Sequence, residues 1–292
     1  MTRGPLTGGT DKLLTTAEQP LRAHPPAVSA AKARRWGSFF YAEQVLRVMR
    51  NYGWSVFLYS VGQPVAYLFA MGVGLASLVD ANSVAAFGGV SYLEFVAPAL
   101  LVSAAVMTAS GEFSYPVTDG FKWRRVFYGP HASPLTPQQI ASGHVMASTV
   151  RFLLQSVIYF AVVAMFGASP GPWGWVSALV ATVAALSFGL PLMAYAASIT
   201  QDKGQFALVQ RFIVMPLFLF SGTFFPLDTL PLAVRWIGWI SPVWHGTELG
   251  RVFTYGMDED PLLTITHGLF LVAAAVVGWV LVRRQFVKRM GS

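Results

Sequence analysis

Six stretches of the chain are apolar for about twenty residues at a time, at 54–78, 93–113, 145–167, 174–199, 206–225 and 262–282, with polar segments between them. A helix needs roughly 20 apolar residues to cross about 30 Å of hydrocarbon, so each window predicts one membrane span. Pro64, Pro98, Pro191 and Pro216 fall inside these windows. Proline breaks a soluble helix, but neighbouring helices in a membrane re-satisfy the freed carbonyls, so kinks are expected, with a hinge as the sharper alternative.

The polar segments carry their charge unevenly. Of 20 Lys and Arg, all but Arg235 and Arg251 lie ahead of the first window, around the connections after the second and fourth windows, or in the tail. The alternate segments, 79–92, 168–173 and 226–261, hold those two together with Asp80, Asp228, Glu248, Asp258, Glu259 and Asp260. The positive-inside rule then puts both termini in the cytoplasm of a multi-pass plasma-membrane protein.

Composition agrees. The chain is 54% hydrophobic and 11% charged, against about a quarter charged in soluble domains. The net charge of +7 invites a nucleic-acid partner, but the basic residues flank apolar windows instead of lining one face, so none is expected. There is no cysteine, which excludes disulfides, thiolate metal sites and cysteine nucleophiles. Residues 1–35 are polar, with Pro5, Pro20, Pro25 and Pro26 and no apolar core of signal-peptide length, and read as a disordered cytoplasmic leader.

Three segments promise more than spanning. Residues 36–52 place Trp36, Phe39, Ala42, Leu46 and Met49 on one stripe, with Glu43, Arg47 and Arg50 opposite, as expected of a helix lying in the cytoplasmic interface, the alternative being an extension of the first span into the cytosol. Residues 112–143 set Phe121, Trp123, Val126, Phe127 and Tyr128 among Lys122, Arg124 and Arg125 on a predicted short helix closed by Gly129 and Pro130. Such a helix can rest on lipid or dock into a cytosolic partner; the PLTPQQI that follows reads as a turn and a new helix start at Pro137. Residues 222–261 are too apolar for a free loop and too punctuated for a span, and Trp236, Trp239 and Trp244 point to interfacial anchoring, so one or two short helices dipping into the outer leaflet are expected.

Charge near a span is costly unless paired or wet. Glu94 and Glu112 sit at the two ends of the second window and Arg151 just inside the third, so Glu112 and Arg151 are positioned to brace two helices as an ion pair. The Asp258–Asp260 run reads as a solvated turn. His24, His131, His144, His245 and His267 are dispersed without metal spacing, and no G-x-S-x-G elbow accompanies a triad, so catalysis by this chain is not expected. No G-x-x-x-x-G-K-S/T occurs, so any ATP would be bound elsewhere.

GEFSYP, KWRRVFY and SPLTPQQIASG, and further on FLFSGTFFPLDTLP and ISPVWHGTELGR, resemble the ABC-2 type exporter permeases, nearest the nodulation lipo-oligosaccharide and daunorubicin-type branch, over most of 36–290. The resemblance implies an all-α integral membrane domain of six spans, with an N-terminal interfacial helix and short re-entrant helices before the last span. It implies a permease that moves an amphiphilic, lipid-linked glycan or drug-like substrate outward. Two such subunits pair, each with a cytosolic P-loop ATPase holding ATP and Mg²⁺; no cofactor belongs to this chain. Phe121, Lys122, Trp123, Arg124 and Arg125 would form the coupling helix in a loop at 114–143. Phe224, Phe225, Trp239 and Trp244 would belong to an outer gate. The long leader departs from the family pattern. The rivals are a gradient-driven transporter, which would show midplane carboxylates and internal repeats, and a membrane enzyme acting on lipid-linked sugars.

Overall fold

Residues 26–75 and 87–291 are described in the computed structural model of the chain, and no strand occurs among them. In chain order the helices are α1 (Pro26–Arg50), α2 (Gly53–Phe69, continued by a π turn over Ala70–Leu75), α3 (Tyr92–Glu112), α4 (Tyr115–Lys122), α5 (Tyr128–His131), α6 (Pro137–Met165), α7 (Val176–Ser198), α8 (Gln205–Phe220, with a π turn at Gln210–Val214), α9 (Leu232–Trp239), α10 (Pro242–Tyr255) and α11 (Pro261–Met290). Four helical stretches among the described residues, Tyr92–Lys122, Pro137–Met165, Val176–Ser198 and Pro261–Met290, are long and apolar enough to cross a membrane, and α8 is a shorter apolar helix. The end of the first predicted window, residues 76–78, lies outside the described residues, as do residues 1–25 of the expected leader.

Local chemistry sets the helix starts. Ser91 and Glu94 form a capping box on α3, and Thr136 and Gln139 form another on α6 with Pro137 in the first turn, where its missing N–H costs nothing. Asp260 caps α11 by accepting from the Leu262 N–H at 2.9 Å. Pro64, Pro98 and Pro191 lie inside helices that continue past them. Pro216 lies two residues past the π turn of α8, a wide turn that tolerates the lost hydrogen bond.

α1 begins ten residues earlier than the interfacial helix expected from Trp36. Residues 26–35 are helical, not part of a disordered leader, because the run PAVSAAKARR has high helix propensity and is tied down. The Gln139 side chain donates to the carbonyls of Ala33 at 3.2 Å and Arg34 at 2.8 Å, joining α1 to the start of α6. Tyr41 and Ala42 are buried against α6, and burial pushes the Tyr41 phenol pKa well above its usual range. Trp36 and Phe39, read as one stripe with Ala42, instead stand exposed with Phe40 on the other side.

The centre of the molecule is α3, α7, α10 and α11. α7 packs along both α3 and α11, and α10 is wedged against all three. Small residues permit the approach. A Cβ on Gly278 of α11 would lie 2.5 Å from Pro191 Cδ on α7. A Cβ on Gly246 of α10 would lie 2.8 Å from Val102 Cγ1 and 3.0 Å from Ala184 Cβ. Since Gly250 faces Pro98 while Gly246 faces Val102, α10 runs antiparallel to α3, from the middle of α3 to its Tyr92 end.

Candidate functional site

At one end of the bundle, α4 and the turn after it are braced from below. Thr118 Oγ1 donates to the Ala196 carbonyl at the end of α7 (2.9 Å), and Arg289 Nη1 on α11 donates to the carbonyls of Ala197 (3.1 Å) and Ile199 (2.7 Å). The rings of Phe121 and Phe127 meet Phe286 at 4.8 and 5.2 Å and each other at 4.7 Å, and the Arg289 guanidinium lies 5.3 Å from the Phe121 ring.

The aromatic and basic helix expected up to Gly129 therefore takes a different form. α4 ends at Lys122, Arg125 adopts a left-handed φ of 51°, and Gly129 and Pro130 fall inside α5. A non-glycine residue there costs about 1 kcal/mol. Folding the chain back buries Phe127 over Gly120 and holds Arg125 in that conformation, with the Tyr128 N–H donating to the Arg125 carbonyl (3.0 Å). Of the predicted coupling residues, Phe121 is buried, whereas Trp123, Arg124 and Arg125 are exposed together with Val126. Arg124 pairs with Asp119, and Lys122 Nζ sits 4.9 Å from the Trp123 ring. The result is a basic ridge with an apolar tip on a rigid base.

At the α4 end of α3, Glu112 and Arg151 form the ion pair that their positions allowed, joining α3 to α6. Gln155 Nε2 donates to Thr108 Oγ1 (2.8 Å) one turn away. Both lie in a groove of about 370 Å³ that is also lined by Ser55 and the buried Ser60 of α2. Glu94 is absorbed by its capping box, where it accepts from the Ser91 N–H at 2.8 Å.

The opposite end holds an open cavity of about 780 Å³ bordered by Phe95, Trp239, Trp244, Tyr255 and the acids Asp228 and Asp258. Of the predicted gate residues, Trp239 is exposed and Trp244 half-buried at this cavity. Phe224 and Phe225 are half-buried in the bend after α8, and the Tyr92 hydroxyl donates to the Phe224 carbonyl (3.3 Å). Beneath the cavity Arg251 is 1% exposed. Its guanidinium donates to Glu248 Oε1 (2.8 Å) and to the carbonyls of Gly222 (2.7 Å) and Phe95 (3.3 Å), and stacks 3.7 Å from the Phe95 ring centroid. Each of the three guanidinium nitrogens thus has an acceptor, as burial of the charge requires.

Two sequence expectations fail here. Glu259 is not part of a solvated turn: its side chain is 8% exposed and bound to His267 and Thr264. The histidines are not all lone, because His245 and His267 touch through their Nδ1 atoms at 2.6 Å. Among the described residues no group of three or more His, Cys, Asp or Glu side chains is arranged to hold a metal ion.

An all-helical bundle with several membrane-length apolar helices and a braced basic ridge at one end is the architecture of a multi-pass membrane permease. Residues 40–255 match the family model described as "ABC-2 type transporter", and the chain belongs to that family. It is similar to Nodulation protein J of Rhizobium leguminosarum bv. viciae, with 26% identity over 237 residues covering 78% of this chain and 87% of that protein. It is also similar to the Inner membrane transport permease YadH of Escherichia coli (strain K12), with 24% identity over 249 residues covering 84% and 93%. The chain is thus the membrane subunit of an ABC exporter, which sets aside the gradient-driven and enzymatic alternatives.

Proposed function

We propose that the chain crosses the bacterial inner membrane six times with both termini cytoplasmic, pairs with a second copy of itself, and is driven by a separate P-loop ATPase that binds ATP and Mg²⁺. The cargo on this reading is an amphiphile, a lipid-linked glycan or drug-like molecule, moved outward. α2 and α8 supply the two spans beyond the four long apolar stretches. The course of α10, from mid-depth on α3 to its Tyr92 end, supports a re-entrant helix, and the exposed Trp36, Phe39 and Phe40 of α1 support contact with the lipid surface. The relatives' names, a nodulation protein and an inner membrane transport permease, support the location.

One observation carries the coupling assignment. Trp123, Arg124, Arg125 and Val126 are exposed at the tip of a turn whose base is locked to the ends of α7 and α11. A partner that pushes on this ridge moves two long helices with it. The test is to purify the tagged chain with its native gene neighbours in mild detergent and assay ATP hydrolysis. A stoichiometric ATPase is expected, and Trp123→Ala with Arg124→Ala should leave insertion intact while uncoupling hydrolysis from transport. Recovery of the folded chain without any ATPase would refute the reading.

A further inference from the structure

His245 on α10 and His267 on α11 are 5% and 0% exposed, and both nitrogens of each ring are engaged. Their Nδ1 atoms lie 2.6 Å apart. His245 Nε2 is 3.0 Å from the Trp239 carbonyl oxygen and His267 Nε2 is 3.1 Å from Glu259 Oε1. Glu259 Oε2 in turn accepts from the Thr264 hydroxyl at 2.7 Å. Phe270 stacks on the His245 ring at 3.9 Å and Trp244 meets the His267 ring at 4.8 Å, closing the remaining sides.

These contacts fix the number of protons. A carbonyl only accepts, so His245 Nε2 carries hydrogen. In a neutral imidazole its Nδ1 is then bare, so His267 Nδ1 must donate. A carboxylate also only accepts, so one further proton lies between His267 Nε2 and Glu259, as imidazolium with carboxylate or imidazole with carboxylic acid. Either way the trio is neutral overall, the state that a buried site favours.

We propose that His245, His267 and Glu259 form one proton-binding site whose occupancy latches α10 to α11. Loss of the shared proton would leave the Glu259 carboxylate facing the bare Nε2 of His267, two acceptors with nothing between them. A proton gained at His245 Nδ1 meets the N–H of His267 and breaks the contact between the two rings. The latch therefore holds within a pH window and opens on both sides of it. Glu259 and Trp244 line the 780 Å³ cavity, which gives the proton a route to water.

Other ionisable groups face the same space. α10 brings Tyr255 and the Glu248–Arg251 pair, the connection to α11 brings Asp258, and the turn before α9 brings Asp228, which lies 4.0 Å from Arg235. At this end α3 offers Glu94, held in its cap, and Tyr92, bonded to the Phe224 carbonyl. The only ionisable group of α7, Tyr195, sits near its opposite end. None of these takes part in the imidazole and carboxylate contacts that fix the proton count. That the cavity opens to the outside rests on the orientation proposed above, while the proton chemistry does not.

The test is ¹⁵N NMR of the full chain in lipid nanodiscs, labelled only at its five histidines, from about pH 3 to about pH 9, wide enough for buried imidazoles, whose charged form burial disfavours. Two coupled rings are expected, His245 protonated at Nε2 and His267 at Nδ1, with a single proton leaving on alkalisation. Glu259→Gln supplies an amide N–H to His267 Nε2 without an ionisable carboxyl. It should abolish the alkaline step while keeping both tautomers and the acid step. Independent titration of the two imidazoles, or an alkaline step unchanged in Glu259→Gln, would overturn the proposal. Because no ATPase is present, either result leaves the exporter assignment untouched.

Discussion

The block of α3, α7, α10 and α11 and the pair α2 and α8 are built from different residues and held in different ways. α3 and α7 are rich in Ala, Ser and Gly, and 78% and 61% of their most apolar windows are buried inside the chain. α2 and α8 carry large side chains that point away from it: Trp54, Phe57 and Leu58 on one, Leu208, Phe212 and Leu219 on the other, all exposed. Each of these two helices also contains a π turn, whereas the block has none among the described residues. Small residues let backbones close on one another, so α3 and α7 are bound by the chain's own packing, while α11, 22% buried over its most apolar window, joins them along one face and turns bulky side chains outward. Bulky exposed faces must be covered by lipid or by another subunit. A stiff block beside two weakly attached helices with irregular turns is a fitting arrangement for a permease that must open a path and close it again.

The largest effect should come from the buried charge at the heart of the block. Arg251→Ala strips the partner from Glu248, whose side chain is 12% exposed, and frees the carbonyls of Gly222 and Phe95. Removing one member of a buried pair costs about 3–5 kcal/mol, enough to lose most folded protein in detergent. Adding Glu248→Leu should recover part of the loss, because the orphaned carboxylate goes with it. Thermal unfolding of the single and double variants measures both. No recovery in the double variant would mean that the carbonyl contacts, not the ion pair, dominate.

Next in size is a matched pair of glycine replacements. Gly246→Leu forces a side chain into Val102 and Ala184 and should cost about 1–3 kcal/mol through overpacking. Gly62→Leu on α2, where an added Cβ meets nothing within 4 Å, should be neutral or slightly stabilising by helix propensity. Equal losses from the two would erase the distinction between block and wing. Trp123→Ala with Arg124→Ala should move stability still less, since both side chains are exposed at the ridge.

The block and the wings were not equally readable from the sequence. Hydropathy placed α3 and α7 to within two residues at each end, and the Pro137 start of α6 followed from its turn chemistry. Arg251 and Glu248 escaped, because a hydropathy window assigns charge to the outside, and only tertiary packing shows that α10 carries them inward. The hint lay in Gly246 and Gly250, four apart on one face of that helix. Nothing in the order of residues brings His245 and His267, 22 positions apart on separate helices, into contact. The ridge was seen as aromatic and basic, yet its shape depends on Phe286, far along the chain, drawing Phe121 and Phe127 inward and leaving Trp123 outside.

The smallest expected effect tests what lies against α1. Arg47 Nη2 donates to Glu43 at 2.7 Å one turn away, with side chains 78% and 57% exposed. In water such a pair contributes about 0.3–0.5 kcal/mol, so Glu43→Gln should barely change the unfolding temperature. On an anionic membrane the same substitution removes the one negative charge from a face that also presents Arg47 and Arg50, and each basic residue near that surface gains about 1 kcal/mol. A peptide spanning Pro26–Arg50 and carrying Glu43→Gln should then bind vesicles containing phosphatidylserine several-fold more tightly than the unsubstituted peptide, and the gain should vanish at high salt. Equal binding by the two peptides would place that face in solvent or against protein, and α1 would then be a cytosolic extension of α2 and not a lipid-bound helix.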